Sequence, residues 1–167
     1  QGLSPVIGFN FGARIWRRLW GAVKIASLGL ASFSLLSLLI LELLAPKIVG
    51  IFSPTPEMLE IAVPALRIML SGIAIFGPTI LFVVTFQGLS KGKDALILSL
   101  VRQIVIFVPL LYFLSWRWGL TGVWLAIPIT DILGFLLSGL WLLREYKRQR
   151  RTGAWVDLLE VQTDTEN

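Results

Sequence analysis

Long apolar runs, each closed by charged, prolyl or glycyl positions, organise this chain. Four of them, at 23–44, 58–87, 95–114 and 120–143, are long enough to cross the roughly 30 Å hydrocarbon layer of a bilayer as helices. The second exceeds the minimum span and is expected to tilt, bend or protrude. A fifth, shorter apolar stretch at 1–13 reads as the end of a helix whose start is absent. The chain opens at Gln1 in mid-pattern, without an initiator methionine, and is expected to be a piece of a longer protein.

The boundaries carry recognisable signals. Pro46 and Lys47 mark the far end of the first span, and 48–52 reads as an interfacial turn. Thr55 as N-cap, Pro56 at the first helical position and Glu57 in the first turn start the second span. Gly88-Leu89-Ser90-Lys91-Gly92-Lys93 ends it, and Asp94 is the expected N-cap of the third. Trp116-Arg117-Trp118-Gly119 connects the third and fourth spans. A basic run, 144–151, follows the last, and 152–167 reads as an acidic, solvated tail. The tetrapeptide Gln-Gly-Leu-Ser occurs at 1–4 and again at 87–90, but in so biased a composition it is weak evidence of a repeat.

Composition agrees with this pattern. Of 167 residues 56% are hydrophobic and only 15% are charged, which excludes a soluble globule and a disordered chain. The expected fold class is all-α, a polytopic transmembrane bundle of four full spans plus a partial N-terminal helix. There is no cysteine and no histidine. Thiolate chemistry is therefore excluded, and so are the usual neutral-pH base and the commonest metal ligand. No catalytic, cofactor-binding or metal residue is expected, and the chain does not read as an enzyme.

A net charge of +5 invites a nucleic-acid reading, but placement of the charges argues for topology instead. Four spans put eleven of the fifteen basic residues on one side, among them Arg14, Arg17, Arg18, Lys91, Lys93 and the 144–151 run. Only Lys47 and Arg117 fall on the other, and Arg67 and Arg102 lie inside spans. Such asymmetry makes the basic side, with the C-terminus, cytoplasmic. Arginines interleaved with Trp16 and Trp20 mark an interface, so membrane lipid is an expected partner and nucleic acid is not.

Glu42, Arg67, Arg102, Gln103 and Asp131 fall at hydrocarbon depth, where an unpaired charge costs a few kcal/mol. Arg102 lies eight residues beyond Asp94, about 12 Å into the bilayer. Asp131 lies twelve residues before Leu143, about 18 Å from the same side. An arginine side chain bridges that difference, so the two make a plausible pair between neighbouring antiparallel spans. Asp131, Gly134 and Ser138 share one helical stripe, and Ser99 and Arg102 share another. Two readings follow: a pair facing a transport cavity, or an ion pair locking two helices. Glu42 and Arg67, at similar depth from the other side, admit the same two readings. Gly77-Pro78 is the best hinge candidate, because both residues weaken one turn.

Several segments together resemble the multidrug and toxic compound extrusion (MATE) transporters. These are Gln1-Gly2, Pro5, Gly8, Asn10 and Gly12-Ala13-Arg14; Ile51-Phe52-Ser53 with Glu57; Gln87-Gly88-Leu89 with Lys91; Arg102-Gln103; and 119–131 with Gly122, Trp124, Pro128 and Asp131. The resemblance covers residues 1–151 and places the four spans as the ninth to twelfth helices of a twelve-helix protein. It implies two six-helix lobes, the N-terminal one absent here, and export of a small organic, often cationic, substrate. Na+ or H+ would be the coupling ion, exchanged by alternating access. The implied location is the plasma membrane, the inner membrane of a bacterium, with cytoplasmic termini. The helix at 58–87 has no acidic residue beyond Glu57 and Glu60, so no coupling carboxylate is carried over. Asp131 matches the family pattern without an assigned role.

Three alternatives compete. A lipid-linked oligosaccharide flippase of the same superfamily needs a strongly cationic cavity, for which only Arg67 and Arg102 are available. An intramembrane protease needs histidine or a second intramembrane aspartate. A structural membrane subunit without transport activity is compatible with the sequence.

Overall fold

A computed structural model describes residues 2–52 and 55–151. Among these the ordered elements are all helical. They run α1 Leu3–Gly12, α2 Trp16–Gly50, α3 Pro56–Leu70, α4 Ile73–Gly88, α5 Gly92–Leu100, a π-helical segment Val101–Ile106, and α6 Phe107–Arg151. Three stretches are long and apolar enough to cross a membrane: Trp16–Gly50, Pro56–Gly88 and Gly92–Arg150.

α2 is longer at both ends than the 23–44 run. Its 35 residues extend about 52 Å. The helix continues through Pro46 and to Gly50, so neither Pro46 nor the start of 48–52 ends it. One proline removes one backbone donor, and a membrane helix tolerates that loss. α3 begins where its signal stands. Thr55 is extended and its Oγ1 accepts from Met58 N at 3.4 Å, with Pro56 next in line. Thr55→Ala is expected to lower stability by about 1 kcal/mol, read as a drop in the thermal midpoint of the purified protein. An unchanged midpoint would show that this cap contributes nothing.

The second apolar stretch is two helices. The interruption falls at Ser71-Gly72, not at Gly77-Pro78, which lie inside the continuous α4. Asp94 does not cap α5. The helix starts at Gly92 with Lys91 as its cap residue, and Asp94 sits in its first turn, where a carboxylate complements the helix dipole.

One end of the bundle uses the same helix stop twice. After α1, Ile15 N donates to Asn10 O (2.9 Å) and Arg14 N to Phe11 O (3.2 Å), with Arg14 at φ 59°. After α4, Lys91 N donates to Phe86 O (2.9 Å) and Ser90 N to Gln87 O (3.1 Å), with Ser90 at φ 58°. Both are Schellman turns, with arginine and serine at the left-handed position where glycine is usual.

The third stretch reverses at Gly119, whose φ of 57° and ψ of −132° open to glycine. Arg102 meets Asp131 and Gly134, and Leu114 meets Gly122, so the two arms run antiparallel about that residue. The helix reaches Trp118, so 116–118 are helical and Gly119 alone makes the turn.

α4 is the central helix, packing on α1, α2, α5 and α6. The buried core gathers near the two Schellman turns, where Ile7, Leu19, Val23, Phe86, Leu89 and Leu98 close on one another. Elsewhere large apolar side chains point outward: Leu43 is 80% exposed and Tyr112 78%. Unbroken apolar faces of this kind suit lipid or neighbouring helices, not water. The stretch read as an acidic tail, 152–167, lies outside the described residues.

A paired arginine and aspartate beside a cavity of mixed lining

Asp131 stands where three irregularities converge. Arg102, on the π-helical segment, donates from Nη1 to Asp131 Oδ1 at 2.8 Å. The other carboxylate oxygen, Oδ2, lies 2.7 Å from where a Cβ on Gly72 would stand, and the Pro128 Cα lies 3.2 Å from the same point. Only glycine fits there, so α6 and the carboxylate press directly against the interruption between α3 and α4. The stem of Arg102 lies across Gly134, whose absent Cβ would be 2.6 Å from the arginine Cδ. Its guanidinium stands 5.8 Å from the centre of the Phe76 ring. One charge pair thus ties α4, the π-helical segment and α6. Removing one partner of such a pair strands the other charge.

A cavity of about 290 Å³ opens beside Arg102, with Thr79, Gln87, Ser99 and Ser138 among its lining residues. The hydroxyls of Thr79 and Ser99 donate to the carbonyls of Ile75 (2.8 Å) and Ala95 (2.9 Å). Their donors are spent on the helices, so toward the cavity they offer oxygen lone pairs.

The other candidate residues lie apart from this pair. Glu42 Oε2 and Arg67 Nε stand 3.5 Å from each other, with Arg67 half exposed. Gln103 is exposed and does not join Arg102. Gly77 is a helix crossing point: a Cβ there would collide with Ser34 Oγ and lie 3.4 Å from Leu30 O on α2. Pro78 is buried beside it.

Sequence reasoning missed a second polar constellation. Lys91 Nζ lies 2.5 Å from Glu145 Oε2, and Gln149 Nε2 donates to Glu145 Oε1 at 2.8 Å. Trp20 Nε1 donates to Gln149 Oε1 at 3.2 Å, and the Trp20 and Tyr146 rings meet edge-on at 5.0 Å. The network joins the start of α2, the turn after α4 and the end of α6. A signal was present. Glu145 and Gln149 continue the stripe of Asp131, Gly134, Ser138 and Leu142 at three- and four-residue steps. The surrounding basic run masks that continuation.

Comparison with known proteins follows the same lines. The MatE family profile matches residues 1–113. Multidrug export protein MepA of Staphylococcus haemolyticus is 26% identical over 137 residues, covering 81% of this chain and 30% of that protein. The chain therefore spans about a third of the length of the curated relatives it matches. Among solved structures it is similar to the inward-facing conformation of a multidrug resistance MATE family transporter of the MOP superfamily. That likeness has a TM-score of 0.84 and 23% identity, over 90% of this chain and 36% of that one. The outward-facing conformation of such a transporter gives a TM-score of 0.82 at 24% identity, over 89% and 34%. These likenesses establish the fold, and with the apolar helices they make this a multi-pass membrane protein.

Proposed function

The chain belongs to the MatE family, and from that premise we propose that it forms part of a secondary multidrug exporter. The exporter would carry small organic cations outward in exchange for Na+ or H+. The observation that carries this reading is the Arg102–Asp131 pair, set against the Ser71-Gly72 interruption and beside a cavity of mixed polar and apolar lining. A paired charge at a helix break can couple a binding event to a bend. When Asp131 is neutralised or drawn away, Arg102 loses its partner, and the contact that holds α6 against the break loosens. The hydroxyl acceptors of Thr79 and Ser99 suit a ligand that brings donors or positive charge. Transport, not catalysis, is the activity, with the rest of the protein completing the pathway and the basic end of the bundle facing the cytoplasm of a bacterial cell. Among the described residues Arg67 and Arg102 each face a carboxylate, which favours an exporter over a flippase for pyrophosphate-linked lipids.

The test uses the full coding sequence, purified and reconstituted in liposomes. A fluorescent organic cation is expected to move when an opposing Na+ or H+ gradient is imposed, and to stop when that gradient is collapsed. Folded protein that moves no cation under either gradient would overturn the proposal.

A further inference from the structure

We propose that the groove between the start of α2 and the end of α6 is a binding site for one anionic phospholipid. This site is independent of the transport reading. The groove holds about 410 Å³. Arg17 and Lys24 stand on its α2 wall two helical turns apart, about 10 Å along the axis. Both are exposed, and among the described residues neither faces a carboxylate within ion-pair reach. Val23, Phe82 and Leu142 supply an apolar floor, and Leu143 lines the opening.

The groove's other polar groups are largely engaged. The Trp20 indole N–H is held by Gln149, and Ser27 Oγ donates to Val23 O at 2.8 Å. Nearby Glu145 is buried and bound by Lys91 and Gln149. Two free cations above a hydrocarbon surface, at the interfacial end of a membrane bundle, match a phosphate headgroup with an acyl chain. An organic cation would be repelled there, so this groove is distinct from the cavity beside Arg102.

The test places the full-length protein in nanodiscs of phosphatidylglycerol and phosphatidylcholine, then counts retained lipids by native mass spectrometry. Wild type is expected to keep phosphatidylglycerol in preference to phosphatidylcholine. R17Q/K24Q should reduce that preference by about thirtyfold, given roughly 1 kcal/mol for each of the two basic residues near the surface. R18Q, which removes an exposed charge outside the groove, should leave it unchanged. L143W, which fills the groove and keeps both cations, should also lower retention. Excess inorganic phosphate should not displace the lipid.

Any one of several results overturns the proposal. One is a wild type with no preference, as when another segment of the protein covers the groove. Another is retention of the lipid by R17Q/K24Q, or an equal loss in R18Q. Retention in L143W, or displacement by free phosphate, would reduce the site to surface charge.

Discussion

Gly122→Ala is expected to leave little folded protein. A Cβ at this position would overlap the carbonyl of Leu114 and lie 2.9 Å from Ser115 N. Both obstacles are backbone, so no rotamer change relieves them. The arms on either side of Gly119 would have to separate, and the packing between them would go with that movement. We expect a loss above about 3 kcal/mol, at the upper end of overpacking effects. Gly139→Ala is the control, because its Cβ would meet only the edge of the Phe82 ring at 3.4 Å. Fluorescence-detected size exclusion of the two variants checks this. A monodisperse Gly122→Ala protein with the wild-type melting midpoint would show that the hairpin does not close as described.

Asp131→Asn is expected to cost about 3 kcal/mol, because it preserves shape while leaving Arg102 charged and largely buried. Adding Arg102→Gln removes the stranded charge, and the double variant should recover most of that loss. A double-mutant cycle in thermal unfolding measures this coupling. Additive single effects would mean that the pair contributes nothing beyond its separate residues. Export of a fluorescent cation by the same three variants, compared at equal protein level, then separates two roles. If the double variant recovers stability but not export, the charges act in transport. If export returns with stability, the pair is a lock between helices.

Much of this arrangement was legible in the chain. Thr55 and Pro56 announce a helix start by chemistry that acts within four residues. Arg102 and Asp131 could be paired by counting rise per residue from the same interface, since a helix converts sequence distance into depth. The interruption at Ser71-Gly72 was not legible, because its cause is tertiary. Proline and glycine at 77–78 look weaker locally, yet α2 packs on Gly77 and holds that turn helical, while α6 presses Asp131 and Pro128 onto Gly72. The π-helical segment also escaped. It lies just before Pro109, which offers no N–H to the Val105 carbonyl and crowds it, and a wider turn upstream relieves that strain. Glu145 passed unread among arginines and lysines, where a carboxylate looks solvated, and its partners Lys91 and Gln149 show only in the fold.

The single-residue reversal at Gly119 bears on how such a protein is made. A ribosome delivers Arg102 well before Asp131, and an arginine held alone in hydrocarbon is poorly tolerated. With one residue between the arms there is no long loop to carry across the bilayer separately, only a helix end bearing Arg117. The arms can fold against each other at the translocon and enter as a hairpin, with each charge already neutralised by the other. The short tether also keeps the two side chains at high effective concentration from the moment both are synthesised. Insertion of this stretch as one unit is then favoured, because each arm supplies the partner for the other's charge.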